Sequence, residues 1–259
     1  MLYDFPHQPR IRRRGIHSDV VRALGLAIVR GDHAPGALLP RAEAWALQLG
    51  VSRTVVREVT RVLAEKGLVE SRPRVGTRVR PRSEWNLVDP EVIAWHREVG
   101  PDIQFFRDLS EVRVAIEATA ARLAAERATP QEVARMEGLF ELMTQDIDDA
   151  VAFAQADLEL HSLILRATHN ALLAQLAHTI SEALAASRDI TVRSPGSSLA
   201  SMPLHAELVA AIRARDVTGA EGLMTRLVEQ AIRDIETVLA ARAPEPAPAA
   251  PRRATAAAR

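Results

Sequence analysis

Apolar residues between positions 16 and 82 fall into three stretches of helical spacing and one of alternation. "SDVVRALGLAIVRGDHAPG" places Val21, Leu24 and Ile28 on one face, with Ser18 or Asp19 as the expected cap and Gly31 as the stop. "RAEAWALQLG" is a short helix closed by Gly50. "SRTVVREVTRVLAEKG" starts on Ser52, a good cap, ends at Gly67, and puts Val55, Val59, Val62 and Leu63 opposite Arg53 and Arg57. "LVESRPRVGTRVRP" gives an extended piece at Leu68 and Val69, a turn from Pro73 to Gly76, and a second extended piece from Thr77 to Val79. Helix, helix, turn, helix and a two-stranded hairpin are the order of a winged helix-turn-helix.

The pattern beyond is helical almost throughout. Amphipathic segments span about 103–127, 130–145, 149–168, 170–190, 199–215 and 217–242. Thr129-Pro130 is a strong helix start, and Asn170 is placed to cap the helix after His169. Short connections make consecutive helices antiparallel neighbours. The expected fold is therefore mainly α, a winged helix-turn-helix followed by an all-α bundle. Residues 11–82 form the first domain, 83–100 a linker with a short helix, and 101–242 the bundle. Residues 243–259, rich in Ala and Pro, have no face to bury and read as a disordered tail. No Gly-rich phosphate loop and no strand–helix alternation points to a nucleotide-binding α/β fold.

Composition adds three constraints. The chain has 259 residues, 47% of them apolar but only 3% aromatic, so its cores are built from Ala, Leu, Val and Ile. It has no cysteine, which excludes thiolate metal sites and disulfides and fits a reducing cytoplasm. No apolar run has the length of a membrane span, and the first residues lack the apolar centre of a signal peptide. The formal net charge of zero hides a division. Residues 10–82 carry 16 basic against 6 acidic side chains, and residues 83–242 carry 14 against 25. A basic front suits a polyanion, and an acidic rear suits something else.

On the third helix Arg53 and Arg57 stack one turn apart. By itself such a stripe is usually a solvated face. Behind a helix-turn-helix, it can lie in a major groove, where guanidinium meets the O6/N7 edge of guanine or forks onto phosphate. Arg61 belongs with backbone or solvent. Arg72, Arg74 and Arg78 on the hairpin, with Gly76 permitting close approach, suit phosphates or the minor groove. Arg12, Arg13 and Arg14 could add contacts from the front.

"LLPRAEAWALQLGVSRTVVREVTRVLAEKGLVESRPRVGTRVRP" resembles the DNA-binding domain of the GntR family, over residues 16–82. The resemblance implies DNA contacts at Ser52, Arg53, Arg57 and the wing with Arg72, Arg74 and Gly76, and the neighbouring Arg41 and Thr54 complete the expected DNA-binding set. The chain departs from the family pattern at Arg41, where a small residue is usual, at Ala42 and Glu43, and at Arg74, where glycine is frequent.

In "ADLELHSLILRATHNALL", Asp157 and His161 are four residues apart and share a helix face, and His205 lies on a later helix that can meet them. Carboxylate and imidazole suit Zn²⁺ or another first-row divalent ion, although the same pair also occurs as a satisfied core histidine. His178 reads as a surface residue. Arg113 lies among Val112, Val114 and Ile116, where it could clamp a carboxylate or pair with Asp157 or Glu117. The bundle is similar to the FCD branch of the FadR subgroup. That resemblance implies Asp157, His161 and His205 as metal ligands (zinc, with nickel or manganese as substitutes) and Arg113 beside the effector. It also places a fourth histidine near Leu227, where this chain has none. Three ligands leave positions on an ion that water or a hydroxy acid could fill.

"RSEWNLVDPEVIAW", "SEVR" and "AERAT" look most like repressors of sugar-acid catabolism, of the galactonate type. The expectation is a cytoplasmic, homodimeric, non-enzymatic regulator on a palindromic operator, released by a small organic acid bound next to a divalent metal. No membrane partner is implied. Two other readings remain open: a metal-dependent hydrolase fused to a DNA-binding module, and a DNA-binding dimer whose bundle is structural only.

Overall fold

Gly50 closes one helix of the helix-turn-helix, and Ser52 starts the next. Its backbone is extended and its hydroxyl accepts the Val55 amide at 3.2 Å, which orders the first turn of the third helix. The computed structural model describes residues 15–100, 102–191 and 197–242. The arginines expected at 12–14 and the tail at 243–259 lie outside the described residues.

The front half contains α1 (Ile16–Arg30), α2 (Ala42–Leu49), α3 (Arg53–Glu65), β1 (Val69–Arg72) and β2 (Gly76–Val79). The strands pair antiparallel in the register Val69↔Val79, and Leu38 adds an isolated bridge to Arg78. Val20, Leu24, Ile28, Trp45, Val59 and Leu63 form the core beneath them. Two expectations are corrected. α1 begins after Gly15, which is left-handed at φ 111, so neither Ser18 nor Asp19 caps it. On α3 the fully buried positions are Val56, Val59 and Leu63, while Val55 and Val62 pack only partly against the core. The inward face is therefore rotated slightly from the one the spacing implied.

A short 3₁₀ turn (Arg82–Glu84) leads to α4 (Pro90–Val99). Asp89 caps α4 by accepting the Glu91 and Val92 amides. α4 packs against α1, where Gly25 is the only residue type that fits: a Cβ there would sit 2.5 Å from the Trp95 ring. Lys66, which ends α3, holds Asp89 at 2.9 Å and Glu91 at 2.6 Å. Burial would lower the Lys66 pKa, but these two carboxylates outweigh it and raise it.

The rear half is helical: α5 (Ile103–Arg113), α6 (Thr119–Arg127), α7 (Pro130–Gln145), α8 (Ala150–Arg166), α9 (Ala171–Gln175), α10 (Ala177–Thr191), α11 (Ser197–Arg213) and α12 (Val217–Arg242). α5 and α6 are one continuous rod, interrupted by a π-turn at Val114–Ala118 that the periodicity did not reveal. Thr129 and Glu132 close a reciprocal capping box at the start of α7. The helix expected over 170–190 is two helices, because the first ends at Leu176. Asn170 caps it, and His178 is exposed, as the sequence suggested. Phe153, Met136, Met143, Leu160, Ile164 and Leu208 anchor the bundle core. A smaller apolar cluster, with Ile93, Phe106 and Ile235, joins α4 to α5, α10 and α12.

Candidate nucleic-acid interface and metal centre

Arg53, Thr54 and Arg57 are exposed on the open side of α3. Arg53 stands 3.8 Å from Glu43, a loose contact, and among the described residues Arg57 has no carboxylate at ion-pairing distance. Arg61 is different: Glu58 at 3.1 Å and Glu65 at 2.7 Å neutralise it. Arg41, exposed, precedes α2 in extended backbone and makes no side-chain cap. Between α2, α3 and the hairpin runs a groove of about 430 Å³, lined by Trp45, Arg57, Thr60, Ser71 and Thr77 among others.

On the hairpin, Glu70 binds both Arg72, at 3.3 Å, and Arg78. These two guanidiniums lower the Glu70 pKa, the Arg78 hydrogen bond first. Arg74 sits at the tip with φ 63, and Gly76 follows at φ 108. The arginine at 74 therefore occupies a left-handed position, which explains why the family pattern favours glycine there. Arg57 lines the groove between α3 and the hairpin, and Arg72 and Arg74 are exposed on the hairpin; exposed guanidiniums of this kind suit a duplex groove and its phosphates.

Inside the bundle the structure brings together Asp157 and His161 from α8 and His205 from α11, with one ligand atom from each within 4.8 Å of the others. All three are buried. His205 Nδ1 donates to the Ser201 carbonyl at 2.8 Å, and His161 Nδ1 donates to Glu117. In a neutral imidazole so arranged, the lone pair is on Nε2. His205 Nε2 lies 2.9 Å and His161 Nε2 3.7 Å from Asp157 Oδ1. Although 2.9 Å is within hydrogen-bonding reach, the angles are not those of a hydrogen bond, and His205 Nε2 and Asp157 Oδ1 both lack a partner. Three acceptors facing one point repel one another unless a cation lies between them. The outer contacts to Glu117 and the Ser201 carbonyl are the kind that fix ring orientation around a metal. The residues fit a divalent ion.

Two arginines flank the cluster. Arg113, 2% exposed, donates from Nε to Glu117 Oε1 at 2.6 Å, while its Nη1 is buried without a partner. Of the pairs the sequence allowed, the one formed is with Glu117. Arg188, on α10, holds Asp157 Oδ2 through Nε at 2.9 Å and Nη2 at 2.8 Å and lies over the Phe153 ring. Burial alone would raise the carboxyl pKa values here, yet both are lowered. Arg188 holds Asp157 well below the usual range, and Arg113 and His161 hold Glu117 down to about 2.

Sequence reasoning missed Glu117 and Arg188. Glu117 was named only as a partner for Arg113, and its contact with His161 spans 44 residues of chain. Arg188 sits in an ordinary amphipathic stretch, "ALAASRDIT", with no motif to mark it. The cluster borders a cavity of about 20 Å³, also lined by Arg113, Ser187, Leu227 and Gln230. That is room for an ion or a water, not for a six-carbon acid. Leu227, where the resemblance placed a fourth histidine, does face this cavity.

Comparison with known proteins agrees with both halves. Residues 16–79 match the model of the bacterial regulatory proteins of the gntR family, and residues 108–230 match the FCD domain. The chain is 34% identical over 223 residues to the galactonate operon transcriptional repressor of Escherichia coli, covering 85% of this chain and 96% of that protein. It is 33% identical over 226 residues to a protein of Paenarthrobacter nicotinovorans described as "Probable D-xylose utilization operon transcriptional repressor", covering 85% and 88%. Among solved structures, the fold is similar to that of Lar, which "controls the expression of the Listeria monocytogenes agr system", with a TM-score of 0.64 at 13% identity over 88% of this chain and 99% of that one. These relatives are transcriptional regulators, not enzymes. Among the described residues no helix is long and apolar enough to cross a membrane.

Proposed function

The chain belongs to the GntR family of bacterial regulatory proteins and carries an FCD domain, and from that premise we propose that it is a cytoplasmic repressor of a sugar-acid catabolic operon. Residues 11–82 read the operator, 83–100 connect, and 101–242 bind the effector and dimerise. Two copies place their α3 helices in successive major grooves of a palindromic site. Arg53, Thr54 and Arg57 meet base edges, the N-terminus of α3 at Ser52 favours a phosphate, and Arg41, Arg72, Arg74 and the Gly76 backbone hold the flanking strand.

The observation that carries the sensor half is the convergence of Asp157 Oδ1, His161 Nε2 and His205 Nε2 beside the unpartnered Arg113 Nη1. A divalent ion, zinc being the best match to these donors, would be held by Asp157, His161 and His205, and it supplies positive charge for a carboxylate and its neighbouring hydroxyl. Arg113 and Arg188 supply forked donors from either side. The similarity to a galactonate operon repressor favours a sugar acid as the ligand. The acid releases the operator because it favours a conformation that DNA does not.

The test is fluorescence anisotropy of the full chain on its own upstream DNA, titrated with sugar acids, with and without chelator. Release by an acid, abolished by chelation, supports the reading. Unchanged operator binding across the panel with metal-loaded protein rejects the sensor half alone, and no binding to the DNA rejects both.

A further inference from the structure

The two oxygens of Asp157 face in different directions. Oδ1 faces His161 Nε2 and His205 Nε2, the point on which the donors converge. Oδ2 accepts two bonds from Arg188, from Nε at 2.9 Å and from Nη2 at 2.8 Å. The guanidinium does not straddle the carboxylate, as the common fork does. It takes one oxygen and leaves Oδ1 without a hydrogen-bond partner. Its position is fixed from two sides. It lies over the Phe153 ring, and the next residue of α10, Asp189, holds Arg97 of α4 at 3.0 Å.

The other supports of the cluster have the opposite character. The Glu117 carboxylate and the Ser201 carbonyl accept from Nδ1 of His161 and His205, which pushes electron density toward Nε2 and makes each ring a better ligand. Arg188 instead draws density from Asp157 and sets a positive charge beside the place a divalent ion would take. Asp157 is wholly buried, where a carboxylate without a cation is costly, so Arg188 secures its charge in metal-free protein. Leu227, facing the same cavity, adds no donor. Three donors, one of them already shared, hold an ion less firmly than a closed four-ligand site.

Resting on the reading of Asp157, His161 and His205 as ion ligands, we propose that Arg188 competes with the ion for Asp157 and makes the metal an exchangeable ligand. The two cations share one carboxylate, so what Arg188 contributes to the metal-free protein is subtracted from metal affinity. The bundle therefore folds without the ion, and occupancy of the site follows the supply of free divalent metal. A residue that only positions Asp157 has the opposite sign, because its loss weakens metal binding.

The experiment is a zinc titration of the full-length, metal-stripped protein against a chromophoric chelator, with melting temperatures taken with and without zinc. Arg188→Gln keeps a side-chain N–H donor for Asp157 and removes the charge. It melts lower than wild type without zinc, gains more from added zinc, and binds zinc about tenfold more tightly, a common size for coupling between two groups. Glu117→Gln, by contrast, binds zinc more weakly. Equal or weaker zinc affinity in Arg188→Gln overturns the proposal and leaves the metal centre standing. Tighter binding in both variants overturns it too, since the gain then has nothing to do with the sign of the charge removed. If Arg188→Gln does not fold, Arg188→Lys carries the test, because it keeps the charge and gives up the paired contact. Zinc affinity at or above that of wild type supports competition, and a fall shows a positioning role and overturns it. No zinc bound by wild type or any variant rejects the metal centre itself.

Discussion

Lys66, the only lysine in the chain, holds Asp89 with both carboxylate oxygens at 2.9 Å, and one of those oxygens also caps α4. The end of the α3 helix and the start of α4 are therefore one unit. Further along α4, Arg97 reaches Asp189 of α10 at 3.0 Å, and the adjacent Arg188 holds Asp157. Ion pairs at the two ends of α4, with the α4 rod between them and the adjacent positions 188 and 189 on α10 beyond, connect α3 to the buried cluster, a candidate route by which either end can bias the other.

Replacing Lys66 with Met leaves Asp89 and Glu91 without their cation at a side chain only 11% exposed. The variant unfolds at lower denaturant, by about 2 kcal/mol, and its operator affinity responds less to an inducing acid than that of the wild type. Chemical denaturation and anisotropy titrations check the two halves. An unaltered acid response rejects the route.

Arg57→Ala removes an exposed guanidinium that makes no ion pair among the described residues. Thermal unfolding stays where it was. Operator affinity falls by about tenfold or more, the range for a bidentate base contact. Wild-type affinity in a gel shift disproves the groove assignment.

Asp157→Asn keeps the shape of the side chain while removing its charge. Purified protein then holds less zinc by elemental analysis and loses its acid response, with operator binding retained. The same metal content in variant and wild type rejects the centre.

Glu117 supports stability through its charge. Its folded-state pKa, about 2, lies below the ordinary 4.5, because Arg113 and His161 outweigh the opposing effect of burial. The stabilisation is complete above pH 4.5 and is lost as pH falls toward 2. Glu117→Gln is less stable than wild type at pH 7 by roughly 3 kcal/mol, and the gap narrows in acid. Melting curves from pH 7 to pH 3 follow the gap, and a constant gap contradicts the assignment.

Arg74→Gly separates conformation from contact. The left-handed backbone at φ 63 favours glycine, so stability rises by up to about 1 kcal/mol. If the tip touches phosphate, operator binding weakens and its salt dependence loses about one unit of slope. An unchanged salt slope places Arg74 away from the backbone.

The helix-turn-helix was legible because its signals are local: Ser52 as a cap, Gly50 as a stop, valines opposite arginines. The Asp157–His161 pair was legible for the same reason, being one turn apart. The Gly15 start was not, since Ser18 and Asp19 gave a stronger capping signal than the glycine that begins α1. The π-turn at Val114–Ala118 leaves no trace in a hydrophobic period, and the break at Leu176 falls within an apolar run that either one helix or two would bury. Glu117 and Arg188 depend on tertiary proximity, which single-residue chemistry does not reveal.

The tightness of the space around Asp157, about 20 Å³, has a further effect on how such a protein responds to its surroundings. A ligand larger than the space must first meet an opened form, so the measured affinity is the intrinsic one scaled by how often that form occurs. Substitutions in the packing of α12, remote from any ligand atom, therefore reset the concentration at which the response begins without altering which ligand is preferred. Threshold and selectivity become separately adjustable properties of one molecule.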